Sequence, residues 1–150
     1  MKKLLVLAPL LMIATPALAG SAVVPLLHGQ GVDTDKLIQY SRLIAAEAEY
    51  HEKYDKVTAL SEKDSKITPE CLRSTRCVYK HGRAKGATTV IAGKVFVTDS
   101  KLEFYIVLCQ RGYFKRNVRF QLENDTLAIA EGLGEYIEDL VIGTKKKKKI

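Results

Sequence analysis

The chain predicts an α/β (α+β) domain, built as a single mixed sheet of about five strands in the order β-α-β-α-β-β-β-α with helices on one face. Three observations carry that expectation. Residues 87–122 hold most of the large apolar side chains and alternate as three consecutive antiparallel strands. A stripe at helical spacing between Asp33 and Tyr54 separates two short apolar runs. A second helical stripe follows the strands, over residues 124–143.

The chain opens with Lys2 and Lys3, an apolar run from Leu4 to Ile13, and Ala17-Leu18-Ala19 ahead of Gly20. These are the three parts of a cleaved bacterial secretory signal spanning residues 1–19. The apolar run is short and interrupted by Pro9 and Pro16, which speaks against a membrane anchor. No cysteine follows the cleavage site, so a lipid anchor is not expected there. The expectation is a soluble protein, periplasmic or secreted, with one α/β domain over residues 20–143 and a disordered lysine-rich tail over 144–150.

Ser21 to Leu27 suits a first strand, and Pro25 within it implies an edge position or an early end. His28 to Gly31 reads as a flexible connection. Asp33 or Thr34 caps a helix running to about Tyr54, its inward stripe being Leu37, Ser41, Ile44, Ala48 and His51, broadened by Tyr40 and Leu43. Lys56 to Leu60 is the second strand, and a right-handed crossover would place it parallel to the first. Ser61 and Asp64 suit the cap of a short helical turn. Thr68-Pro69-Glu70 starts the next helix, which holds Cys71 and Cys77 and ends at Gly86. The last helix follows Asn124, Asp125 or Thr126 and buries Leu127, Ala130, Leu133, Ile137, Leu140 and Val141. Gly132 and Gly134 weaken it by about 1 kcal/mol each relative to alanine, and close packing on the sheet would explain them.

Register in the meander follows from alternation. A turn over Thr98 to Lys101 sets Val97 opposite Leu102, Val95 opposite Phe104, Gly93 opposite Ile106 and Ile91 opposite Leu108. At the next turn, around Arg111 and Gly112, a three-residue loop puts Phe114, Val118, Phe120 and Leu122 on the Phe104 face, whereas a two-residue loop would put Lys115 and Asn117 there. The three-residue loop is favoured. The buried face is then Ile91, Val95, Phe104, Ile106, Val118 and Phe120. The opposite face, with Glu103, Val107 and Cys109 beside Tyr105, Tyr113, Lys115, Asn117 and Arg119, is expected to be partly solvated. Gly93 marks either a bulge or a flat spot where a helix comes close.

The formal net charge of +7 is carried by the two ends. Without Lys2, Lys3 and Lys145 to Lys149, the body holds 17 basic and 17 acidic residues. That body is polarised: residues 71–119 carry eleven basic residues against Asp99 and Glu103, and residues 120–144 carry six acidic residues and no basic one. Either the last helix neutralises the basic strands, or a basic face serves an anionic partner.

Motifs for chemistry are few. Cys71 and Cys77, six apart in an exported chain, are the candidate disulfide, provided the helix kinks near Ser74 to Arg76. Cys109 falls on a strand face as a small buried hydrophobe. His28, His51 and His81 show no ligand spacing, so no metal is expected. No GxSxG, P-loop or GxGxxG motif occurs, and Glu47 with Glu49, or Glu138 with Asp139, do not share a helix face. No catalytic residue, enzyme activity or cofactor is expected. Arg111, Lys115, Arg116 and Arg119 around Tyr113 and Phe114 have the look of a nucleic-acid platform, but the export signal argues against that partner.

The segment from Cys71 to Gly112 carries two cysteines, a helix closed by Gly86-Ala87, a strand with central Gly93 and a strand closed by a glycine turn. In this it resembles the small periplasmic α/β domains related to the TolB amino-terminal domain and the curli-channel (CsgG-like) periplasmic domain. The resemblance implies a non-enzymatic assembly or binding module of the cell envelope. The expected function is therefore protein binding, through an exposed sheet edge or through Tyr105, Tyr113, Lys115, Asn117 and Arg119, with another envelope protein as partner. The alternative is binding of an anionic membrane surface, envelope lipid or polymer, by Lys145, Lys146, Lys147, Lys148 and Lys149 together with the basic sheet face.

Overall fold

The computed structural model describes residues 20–51, 53–60, 67–111 and 113–143. The signal segment, the turn expected at Ser61 to Asp64 and the lysine tail lie outside the described residues. Ten elements follow in order: β1 (Ala22–Val24), β2 (His28–Gln30), α1 (Thr34–Tyr50), β3 (Val57–Ala59), a 3-10 turn (Cys71–Arg73), α2 (Thr75–Arg83), β4 (Thr89–Thr98), β5 (Lys101–Gln110), β6 (Tyr113–Glu123) and α3 (Thr126–Ile142). One mixed sheet runs β3-β1-β4-β5-β6, with β2 also paired to β4.

Pro25 ends β1 early, and that strand lies inside the sheet with parallel partners β3 and β4. The connection expected over His28 to Gly31 is instead a sixth strand, parallel to Lys94–Phe96 of β4. β1 and β2 thus share one flank of β4. The step between them is held by Ser41, which accepts a hydrogen bond from the Leu27 backbone and donates to the Leu37 carbonyl. This explains a serine within the apolar stripe of α1. The helix stops at Tyr50, four residues short of the expected end, and Tyr54 folds back into the core.

β4 and β5 pair in the expected register, from Ile91 opposite Leu108 to Val97 opposite Leu102. The pairing extends through Thr98 and Lys101, so the turn is reduced to Asp99 and Ser100, with Asp99 at φ 55°. Gly93 is neither bulged nor against a helix; its close neighbour is the backbone of β5. In β6, Phe120 faces Phe104, Val118 faces Ile106 and Leu122 faces Leu102, as the favoured loop requires. A bulge between Leu108 and Cys109 then changes the phase. Phe114 pairs with Cys109 on the far side of the sheet, and Arg116 takes the place opposite Leu108.

α1 and α3 cover one face of the sheet, where Ile44, Ile91, Phe104, Ile106, Phe120, Leu133 and Ile137 form the larger core. The inward stripe of α3 is Ile129, Leu133, Ile137, Leu140 and Val141, which leaves Leu127 and Ala130 exposed, contrary to expectation. The helical phase set by Ile129 turns them outward. A Cβ on Gly132 would meet the Leu122 side chain at 2.6 Å, so that glycine lets α3 approach β6. Arg116 donates to the Leu140 and Val141 carbonyls at 3.0 and 2.8 Å, satisfying the end of α3. Here a basic strand residue meets the acidic last helix.

Helices on one face describes α1 and α3 only. The 3-10 turn and α2 pack on the opposite face, over Val90, Ala92, Val107 and Cys109 in a second core. Ser74, extended at φ −118° and ψ 111°, separates the turn from α2 and caps α2 by accepting from the Cys77 amide. That break brings the Cα atoms of Cys71 and Cys77 to 5.2 Å, and the two form a disulfide. Replacing both by serine is expected to cost about 2 kcal/mol, because the closed loop is short. Urea titrations with and without a dithiol test this: reductant should lower the wild-type midpoint and leave the C71S/C77S midpoint unchanged.

Candidate functional site

α2 covers only part of the far face. Beyond it, an open cleft of about 490 Å³ is lined by Leu72, Arg73, Lys94, Phe96, Tyr105, Phe114 and Arg119. Each side chain arrives by a separate local device. The even positions of β4 point Lys94 and Phe96 to this side, and odd positions of β5 do the same for Tyr105. The bulge in β6 delivers Phe114, and Arg119 stands directly opposite Tyr105. Arg73 projects from the 3-10 turn that the disulfide holds in place.

The Lys94 ammonium lies 5.8 Å from the Tyr105 ring centre and 6.0 Å from that of Phe96, within cation–π range. Glu103, buried on this face, accepts from the Arg119 guanidinium and, at 3.2 Å, from the Gln121 amide. Those two bonds, Arg119 first, hold the Glu103 carboxyl below its ordinary range. Because its folded-state value is depressed, its contribution is present above the unfolded-state pKa and is lost as pH falls through the folded one. Thermal melts at stepped pH should therefore show acid destabilisation that is smaller in Glu103→Gln; an unchanged profile would place the acid sensitivity elsewhere.

The sequence-derived set divides in two. Tyr105 and Arg119 line the cleft, and Asn117 is exposed on the same face, opposite Val107. Tyr113 and Lys115 lie at the hairpin end, where with Gln110 and Arg111 they border a separate shallow hollow of about 430 Å³; Lys115 donates to Gln110 at 3.1 Å. Val107 and Cys109, expected on a partly solvated face, are fully covered by α2 and its 3-10 turn. The residues that sequence reasoning missed are Arg73, Lys94 and Phe96, and Phe114, expected on the Phe104 face, lies on this one. Lys94 and Phe96 were accessible from the alternation that assigned Val95 inward. Arg73 and Phe114 carried no such signal.

His28, His51 and His81 stay in separate elements, but His81 comes beside the two cysteines: ligand atoms of Cys71, Cys77 and His81 lie within 4.8 Å of one another. With the two sulfurs bonded to each other, neither is a thiolate ligand. Burial lowers the His81 pKa. No helix among the described residues is long and apolar enough to cross a membrane.

No family model matches the chain, and no curated protein matches it. Solved structures do. The chain is similar to a PelC dodecamer from Paraburkholderia phytofirmans, at TM-score 0.58 and 12% identity over 83% of this chain and 89% of that one. It is also similar to lipoprotein GNA1162 from Neisseria meningitidis, at TM-score 0.52 and 13% identity over 87% of this chain and 99% of that one. At such identities the likeness is one of fold. The fold is that of small bacterial α/β domains, one of them a lipoprotein.

Proposed function

We propose that this protein is an exported, non-enzymatic assembly module of the bacterial envelope that binds another protein at the Arg73–Lys94–Arg119 cleft and along strand β6. The cleft carries the reading. Phe96, Tyr105 and Phe114 interleaved with Arg73 and Arg119 is a composition typical of energetically dominant protein contacts. Beside it, the eleven-residue β6 is the last strand of the sheet among the described residues, with an edge that an extended partner segment could join. The lipoprotein neighbour supports an envelope setting, and the dodecameric neighbour supports a role in assembly. Kinship with the TolB amino-terminal and curli-channel domains is the finer form of the same reading, resting on the Cys71 to Gly112 pattern.

Affinity capture from envelope extract tests it. Wild-type protein should retain a partner at physiological ionic strength, and Tyr105→Ala with Phe114→Ala should lose it while remaining folded. Undiminished capture by that double variant would move the binding surface off the cleft.

A second reading is favoured by the cations of the cleft, Arg73, Lys94 and Arg119, of which Arg119 is paired with Glu103. With Lys145 to Lys149 they would attract an anionic lipid or polymer, at about 1 kcal/mol per lysine near the surface. Co-sedimentation with anionic vesicles, abolished by salt and by removal of the tail, would favour this over protein capture.

A further inference from the structure

Two surfaces of opposite charge lie on opposite sides of the sheet, the outer face of α3 and the cleft beside α2. On the α1 and α3 side, α3 carries Glu131, Glu135, Glu138 and Asp139 and no basic residue. Its outer surface also exposes Leu127 and Ile142, at 64% and 40%, towards the two ends of the acidic stretch. On the other side, the 3-10 turn, α2 and the uncovered strands carry Arg73, Arg76, Lys80, Lys94 and Arg119, of which Arg119 is paired with Glu103. The acidic surface thus combines carboxylates with exposed aliphatic side chains, and the basic one combines cations with the exposed edge of Phe114 and the rings of Phe96 and Tyr105. The two surfaces are complementary in charge and both offer apolar area.

We propose that the partner seated on the basic cleft is a second copy of this chain, which presents the acidic outer face of its α3. This rests on the reading of the cleft as a protein-binding surface and names its occupant. The two patches differ and lie on opposite sides of the sheet, so the contact is heterologous. In a pair, one molecule retains an unused acidic patch and the other an unused basic patch. Association therefore continues into a closed ring or an open filament and does not stop at a symmetric dimer. Screening weakens the contact, because both surfaces are solvated before they meet.

Sedimentation velocity on the purified protein tests the proposal. At ~0.01 M ionic strength, where the Debye length is about 30 Å, mass should grow with concentration beyond two chains; at ~1 M, where it is about 3 Å, the protein should be monomeric. Two variants neutralise one face each: Arg73→Gln with Lys94→Gln, and Glu131→Gln with Glu138→Gln. Each alone should self-associate about tenfold more weakly or worse. Mixed in equal amounts, they should form a species of two chains and nothing larger, because a single compatible pair of faces remains. Thermal melts check both variants, and Arg73→Gln alone replaces the first if it melts early. The proposal is overturned by a wild type that stays monomeric at low ionic strength, by variants that associate like the wild type, or by a mixture no heavier than its components. Self-association is read on the isolated protein and partner capture on an extract, so either can fail while the other stands.

Discussion

Phe104→Ala is expected to destabilise the domain by about 3–5 kcal/mol, the range for truncating a fully buried aromatic side chain. Phe104 is completely enclosed and sits within a row of rings that crosses from α1 over the sheet to α3. Tyr40 meets it edge-on at 5.7 Å, Phe120 stacks on it at 5.1 Å, and Tyr136 stacks on Phe120 at 4.0 Å. Truncation removes the ring that both Tyr40 and Phe120 touch, so the loss combines transfer energy, a cavity and two aromatic contacts. For a domain of this size, the melting temperature should fall by roughly 10–20 °C. Urea unfolding of wild type, Phe104→Leu and Phe104→Ala measures the effect, with the leucine variant retaining most of the stability. A loss below ~1 kcal/mol for the alanine variant would contradict this account of the core.

Gly93→Val is expected to cost about 3 kcal/mol for a different reason, overpacking against atoms that cannot yield. A Cβ at Gly93 would lie 2.5 Å from the Tyr105 carbonyl oxygen and 3.2 Å from the Ile106 Cα. Both belong to the backbone of β5, held in a ladder of ten residue pairs. The side chain could enter only if β4 and β5 move apart. Since Lys94 and Tyr105 are the next pair along, the shift would also disturb the cleft. Gly93→Val should thus lose both urea resistance and partner capture, whereas Phe104→Ala, acting from the other face, should leave capture by its folded fraction intact. Equal stability of wild type and Gly93→Val would show that the strands separate without cost.

Cleft formation shows how far the chain can be read before it is folded. Alternation along β4 and β5 correctly pairs Val95 with Phe104 and Ile91 with Leu108, because residues two apart on a strand must share a face. The same rule turns Tyr105 and Arg119 towards the cleft. Phe114 fails that rule because one extra residue at the bulge reverses the faces of everything towards the hairpin end. No short-range pattern announces the bulge; the half-buried Arg116 is accommodated opposite Leu108 because the carbonyls of α3, more than twenty residues away, accept from it. His28 to Gln30 is a similar case: HGQ has no strand signature, and it pairs because β4 has a free flank beyond the short β1.

What the sequence determined by itself is what depends on residues close in the chain. This includes the order of helices and strands, the antiparallel meander and most of its register, the inward stripe of α1 and the polarity of charge along the body. The tertiary structure decided what depends on distant segments meeting: that α2 lies on the far face from α1 and α3, that a disulfide-held turn lends Arg73 to the sheet, and that the acidic outer face of α3 ends on the opposite side from the basic cleft. The physical reason is that a strand or helix declares its own buried face through periodicity. Which element covers that face, and how much stays open, is settled only by packing.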